Sequence, residues 1–301
     1  MYISTCSVAL VQHWHAARQR LETALPETVL DLCCGSGVQG IAAAAAAAAR
    51  GGECSVTAVD VSARAVRFTR FNAALNGLAR CVTAVQGDLY SASGIGDRTY
   101  AAILANPPFV PVPPALNAIS NRYDVFAAGP GARGEGVLRG VIEGACAHLR
   151  PGGTLAIVSE VADVERFVGA LPQWWSSGSS AQDSVLQPAM SALEYCQRRA
   201  GSSNEVEAWV THLASESIES LSQAFMWVVM PHASSSSMTD VDSSSRSDSG
   251  GNVRIGIREG GCQVLMTDVK LVRVSKVWAP ENYAALRVTT DCVKDLRESN
   301  S

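Results

Sequence analysis

The chain has 301 residues, 47% of them hydrophobic, which is enough for one large α/β domain or two small ones around a sizeable core. A net charge of −4 and a pI near 5.8 argue against a nonspecific nucleic-acid binder, which is ordinarily basic. Nine cysteines without a Cys-x-x-Cys pair speak against metal and disulfide frameworks, and no apolar run approaches the roughly 18 residues of a membrane span.

The segment before Glu22 carries no acid, yet Val8, Leu10, Val11, Trp14, Ala17 and Leu21 have helical spacing. A folded flanking helix over 1–27 is expected, in preference to a transit peptide. Thr28–Leu32 reads as strand one and feeds a glycine turn, Cys33-Cys34-Gly35-Ser36-Gly37-Val38-Gln39-Gly40. Ile41 and the alanine run to Ala49 form a helix, because alanine is the best helix former, and Gly51-Gly52 ends it. Ser55–Val59 is strand two, ending at Asp60. Ser62 caps a helix over Ala63–Leu75, closed by Asn76-Gly77. Val82–Gln86 is strand three, followed by Gly87-Asp88-Leu89-Tyr90. Ala102–Ala105 is a short buried strand stopped by Asn106-Pro107-Pro108-Phe109.

An irregular stretch over 110–133 has the length of a lid or substrate loop. Beyond it are expected a helix over Val137–Leu149, a turn at Pro151-Gly152-Gly153, a fifth strand over Thr154–Val158 and a helix over Val164–Leu171. Helices near Ala192–Arg199 and Glu205–Ser215 precede a strand over Ala224–Met230. Residues 232–251, mostly Ser, Gly and Asp, have the composition of a disordered loop, and 264–274 of a last strand. The organisation expected is a flanking helix (1–27), a core (28–171), a helical insert with strand six (172–231), the Ser-rich loop (232–251) and a last strand with tail (252–301).

The alternation of strands and helices predicts an α/β, doubly wound, mostly parallel sheet with right-handed crossovers. Ligands then sit beyond the carboxyl ends of the strands, where Asp31, Gly35, Gly37, Asp60, Asp88 and Asn106 all fall. Gly35-Ser36-Gly37-Val38-Gln39-Gly40 matches G-x-G-x-x-G, with Asp60 twenty residues past Gly40, a spacing shared by NAD and S-adenosylmethionine sites. Asp31 inside strand one, Asp88 after strand three and the Asn-Pro-Pro-Phe end of strand four favour the latter, because hydride transfer has no use for them. Asn106 precedes a proline and is held extended; Pro107 and Pro108 stiffen the turn and leave carbonyls unpaired. A rigid strand end with an amide oxygen, a free carbonyl and an aromatic face suits a flat –NH2 group. Plainer readings stay open: Asp31 and Asp88 as turn caps, Phe109 as a core residue. Cys33 and Cys34 read as small buried hydrophobes and not as nucleophiles, and the five histidines form no ligand spacing.

On these motifs residues 28–160 resemble a class I S-adenosylmethionine-dependent methyltransferase. Val29-Leu30-Asp31-Leu32-Cys33-Cys34-Gly35-Ser36-Gly37 is similar to the first motif, Asp60 and Asp88 to the second and third, and Asn106-Pro107-Pro108-Phe109 to the tetrapeptide of amino-methylating enzymes. These are the small-domain and HemK-like group, which includes glutamine N5-, adenine N6- and guanine N2-methyltransferases. Cys33 departs from the pattern by standing where glycine is usual, and Tyr2–Val11 resembles the segment before the first motif. The resemblance implies a Rossmann-like, seven-stranded, mostly parallel sheet and S-adenosyl-L-methionine as cofactor. It places Asp31, Cys33, Gly35 and Gly37 beside the methionine end, Asp60 on the ribose hydroxyls, and Asp88 with Leu89 at the adenine. It assigns Asn106 and the Pro107 carbonyl to gripping the substrate nitrogen, with Phe109 stacked on it. The reaction implied is methyl transfer to a planar nitrogen of a protein glutamine or a nucleic-acid base, in the cytoplasm, without metal or membrane. An NAD(P)-dependent oxidoreductase and a non-catalytic cofactor-binding partner subunit are the alternatives.

Overall fold

The computed structural model describes residues 4–20, 24–119, 133–175, 183–186 and 189–230. The readings for 232–251 and 264–274 lie outside these residues.

A parallel sheet forms the centre. Strand β1 (Thr28–Leu32) pairs with β2 (Ser55–Asp60) and with β4 (Tyr100–Ala105); β2 pairs with β3 (Val82–Gln86), and β4 with β5 (Leu149–Ala162). The far side is antiparallel: β8 (Ser220–Val229) lies between β5 and β6 (Asp183–Leu186), and the two-residue β7 (Met190–Ser191) also pairs with β8. The order is β3-β2-β1-β4-β5-β8-β6 in an eight-stranded sheet. Neither β6 nor β7 is legible in the sequence, because each is too short to show a period and exists through pairing with the ten-residue β8.

Alternation within the buried strands feeds two cores. Leu30, Ile103 and Leu155 point to one face, under α5 (Gly136–His148) and α6 (Val164–Trp174). Val29, Leu104 and Ala156 point to the other, under α1 (Thr5–Arg20), α2 (Val38–Ala48) and α3 (Ala63–Leu75). Both faces are covered, as a parallel sheet requires. A third core joins α7 (Ala192–Arg199) and α8 (Ser203–Ser215) to Val110 and Leu116 beyond β4.

Several boundaries differ from the sequence reading, β8 among them, which starts four residues earlier, at Ser220. Strand β4 starts two residues earlier, at Tyr100. The Pro151-Gly152-Gly153 turn lies inside β5 as a bulge, since pairing passes from Tyr100 opposite Leu149 to Ala102 opposite Thr154. The expected irregular stretch contains a short helix, α4 (Pro114–Ile119), whose proline takes the first helical position, where a missing N–H costs nothing.

Candidate functional site

The turn after β1 is held from three directions. Gly37 sits at φ +80° and opens α2 without a side-chain cap; a Cβ there would lie 2.7 Å from Thr69 Cγ2. The Gly40 N–H donates to Asp31 Oδ2 at 2.9 Å, and a Cβ at Gly40 would lie 2.6 Å from Val56 Cγ1. From α3, Thr69 Oγ1 donates to the Gly35 carbonyl at 3.3 Å and Asn72 Nδ2 to that of Ser36 at 2.9 Å. The turn therefore has no room for a side chain at Gly37 or Gly40, and its backbone is held by these bonds.

Asp31 is 0% exposed. Its Oδ2 serves Gly40, while Oδ1 is buried with no partner among the described residues. Burial pushes the carboxyl up to about 7, the Gly40 hydrogen bond opposes this, and the charge of Asp60 adds to it. An orphaned carboxylate oxygen beneath a glycine turn is costly unless something cationic or hydrogen-bonding arrives.

Asp60, at the end of β2, accepts from the Gly35 N–H at 2.9 Å through Oδ2 and from the Ser62 N–H at 2.9 Å through Oδ1. Beside it, Val61 is 64% exposed, the most open large apolar residue among the described residues. Asp88 is exposed and precedes a 3₁₀ turn over Leu89–Ser91. Among the described residues four non-glycine positions have positive φ: Cys33 at +54°, Leu89 at +42°, Asp163 at +46° and Ser217 at +52°. Two of the four are residues that sequence reasoning assigned to the cofactor, and backbone strain of this kind concentrates at ligand-holding turns. The Cys33 thiol, desolvated and faced by the charges of Asp60, Asp31 and Asp88, is pushed far above its ordinary range and stays protonated. That agrees with its reading as a non-nucleophile.

At the end of β4, Asn106 is half-buried and Pro107 buried. Asn106 Nδ2 donates to Ser4 Oγ at 3.1 Å and to Ser7 Oγ at 2.8 Å, which joins this strand end to the start of α1. Phe109 is partly buried against the third core. Gly134, at φ +78°, lies so close to the Phe109 carbonyl that a Cβ would stand 2.4 Å away, so Gly134 packs on the proline turn. The far wall is pinned twice. Glu160, 9% exposed, takes Arg199 at 2.6 and 2.8 Å and the Tyr195 hydroxyl at 2.9 Å. Asp163 pairs with Arg133 and accepts the N–H groups of Glu219 and Ser220 at 3.0 Å.

The fold thus brings Asp31, Cys33, Gly35, Gly37 and Asp60 around one turn, with direct bonds between the turn and two of the aspartates. Asp88 and Leu89 follow the neighbouring strand, and Asn106, Pro107 and Phe109 follow the next strand on the other side of β1. Sequence reasoning missed Thr69 and Asn72, whose signal is two polar residues at i, i+3 on the buried face of α3, and Ser4 with Ser7, which carry none. Among the described residues no group of three or more His, Cys, Asp or Glu could hold a metal ion, and no helix is long and apolar enough to cross a membrane.

Residues 7–123 match the family model "Methyltransferase small domain". The chain is 31% identical over 176 residues to a ribosomal protein uL3 glutamine methyltransferase of Bradyrhizobium diazoefficiens, covering 56% of this chain and 52% of that protein. It is 38% identical over 143 residues to a release factor glutamine methyltransferase of Xylella fastidiosa, covering 47% and 50%. The chain spans about half the length of the curated relatives it matches. Among solved structures, an S-adenosyl-L-homocysteine complex of a SAM-dependent methyltransferase from Geobacter sulfurreducens matches 74% of this chain and 90% of its own at 18% identity and a TM-score of 0.40.

Proposed function

We propose that this chain, whose residues 7–123 match the methyltransferase small domain, is an S-adenosylmethionine-dependent N-methyltransferase acting on a planar amide nitrogen, with a protein glutamine as the favoured acceptor. The observation that carries the reading is Asn106: its amide N–H groups are taken by Ser4 and Ser7, so its oxygen, without a partner among the described residues, is the arm left at a proline-stiffened strand end. The names of the relatives at 31% and 38% identity, both glutamine methyltransferases, support the choice of acceptor.

The residues present fit the cofactor. The orphaned Asp31 Oδ1 suits a ligand ammonium, Asp60 keeps acceptor capacity for two hydroxyls beyond its bonds to Gly35 and Ser62, and the exposed Val61 offers an apolar face to a base. When bound, S-adenosylmethionine supplies an electrophilic methyl group. The chain itself positions and polarises. An amide nitrogen is a weak nucleophile because its lone pair is delocalised. Asn106 Oδ1 and the Pro107 carbonyl accept its two hydrogens, favour a pyramidal nitrogen and stabilise the positive charge that grows there. Phe109 offers its ring to the plane of the amide. Residues 28–171 form the cofactor-binding core in this reading and 172–231 the acceptor-side insert. The nine scattered cysteines, with no Cys-x-x-Cys pair, support a reducing, cytoplasmic setting.

The test is transfer of a radioactive methyl group from S-adenosylmethionine to purified ribosomal protein uL3, a release factor and total RNA, offered separately. Label is expected in a protein acceptor, and Asn106→Ala should lower the single-turnover rate about 10²–10³-fold while cofactor affinity is kept. Label in RNA alone would replace the acceptor class. Turnover kept in Asn106→Ala would overturn the amine-methylating reading.

A further inference from the structure

We propose that Ser4 and Ser7, at the start of α1, are positioning residues that set which end of the Asn106 amide faces the acceptor, and so select a hydrogen-donating nitrogen as substrate. This rests on the N-methyltransferase reading above. Asn106 Nδ2, Ser4 Oγ and Ser7 Oγ form a triangle with edges of 3.1, 2.8 and 3.0 Å. The hydrogens on those edges can be counted. Ser4 Oγ already accepts the Ser7 backbone N–H at 3.0 Å, capping α1. With the Asn106 donation, both Ser4 lone pairs are occupied. The Ser4 hydrogen therefore lies along the edge to Ser7, and Asn106 supplies the other two, so every edge carries a hydrogen.

Turning the amide over breaks this. With Oδ1 at that corner, the two hydroxyl hydrogens must cover three edges, and one edge becomes a bare oxygen–oxygen contact at hydrogen-bonding distance. Ser7 is 8% exposed, so water has little access to fill the gap. The serines therefore hold Nδ2 inward and leave Oδ1 as the outward arm. An acceptor there grips an –NH2 group and offers nothing to a carbonyl. The device spans about a hundred residues of chain and joins α1, outside the glycine turn and its aspartates, to the reacting end of β4.

Ser7→Ala is the informative variant, because it removes the two edges that meet at Ser7 Oγ and leaves the Ser4 cap of α1 in place. The single-turnover methyl-transfer rate to the protein acceptor should fall roughly 10–100-fold with cofactor affinity unchanged. In the Asn106→Ala background, Ser7→Ala should have no further effect, whereas a merely structural role would give additive losses. Independently of activity, the side-chain ¹⁵N–¹H₂ signal of Asn106 in the unmodified protein should show slow hydrogen exchange and through-space contacts to the Ser4 and Ser7 methylenes. That protection should fall in Ser7→Ala, where only the bond to Ser4 is left. Fast-exchanging Asn106 hydrogens in the unmodified protein, or equal rates for it and Ser7→Ala while Asn106→Ala is crippled, would overturn the positioning role alone. Normal turnover in Asn106→Ala would instead remove the reading on which it stands.

Discussion

The Gly35 N–H donates to Asp60 Oδ2 at 2.9 Å, so the turn after β1 and the end of β2 are one unit. Asp60 also accepts the Ser62 N–H at the start of α3. Asp60→Ala leaves two backbone donors without their partner, and each such loss costs about 1–3 kcal/mol where the group is shielded from water. The variant should remain folded with a lower denaturant midpoint and bind S-adenosylmethionine at least about tenfold more weakly by calorimetric titration. Unchanged affinity would remove Asp60 from the cofactor site.

Cys33 occupies the left-handed region at φ +54°, where a side chain costs about 1–2 kcal/mol relative to glycine. Cys33→Gly relieves that strain and gives back roughly 0.5–1 kcal/mol through the freer unfolded chain. A small net gain is expected, read as a melting temperature raised by about 1–3 °C, with cofactor affinity unchanged or higher. Cys33→Val should melt earlier, because a β-branched residue tolerates this backbone least.

Asp31 makes stability depend on pH in an unusual direction. Burial raises its folded-state value to about 7, above the roughly 3.9 of an unfolded aspartate. Between those values the folded chain holds a proton that the unfolded chain has released. The contribution of Asp31 is therefore greatest on the acid side and is lost as pH rises through the window, levelling off above it. Its slope cannot exceed about 1.4 kcal/mol per pH unit. Asp31→Asn, neutral throughout and still able to accept from Gly40, should remove this component, visible as the difference between denaturant midpoints of the two proteins across the window. Parallel curves would show that Asp31 does not titrate there.

The Glu160–Arg199 pair fixes α7 to the end of β5. Arg199→Met keeps part of the packing but leaves the carboxylate with Tyr195 alone, and breaking such a pair from one side costs about 3–5 kcal/mol. Glu160→Gln should cost less, since the amide oxygen still meets Arg199 and Tyr195. Equilibrium urea unfolding ranks the two, and the reverse order would mean that Tyr195 and not Arg199 supports Glu160.

The placement of much of the candidate site was legible in the sequence, because its parts are local. The strand-to-turn junctions at Asp31, Gly35, Gly37, Asp60 and Asp88 are set by short apolar runs meeting glycine or aspartate, and such signals survive without tertiary context. Strands β1 and β3 and helix α3 run between the residues that the pattern predicts. Tertiary structure alone decided the rest. A reading of local pattern cannot see that β8 inserts antiparallel between β5 and β6, because that pairing depends on which edge the β5 strand leaves open. Nor can it see Asp31 stranded with an unpartnered oxygen, since burial is a property of what closes over a residue. It cannot bring Ser4 and Ser7 to Asn106 either. Two serines at a helix start read as a cap, and only the packing of α1 against the sheet turns the cap toward a strand end about a hundred residues away, where hydrogen-bond geometry fixes the orientation of one amide.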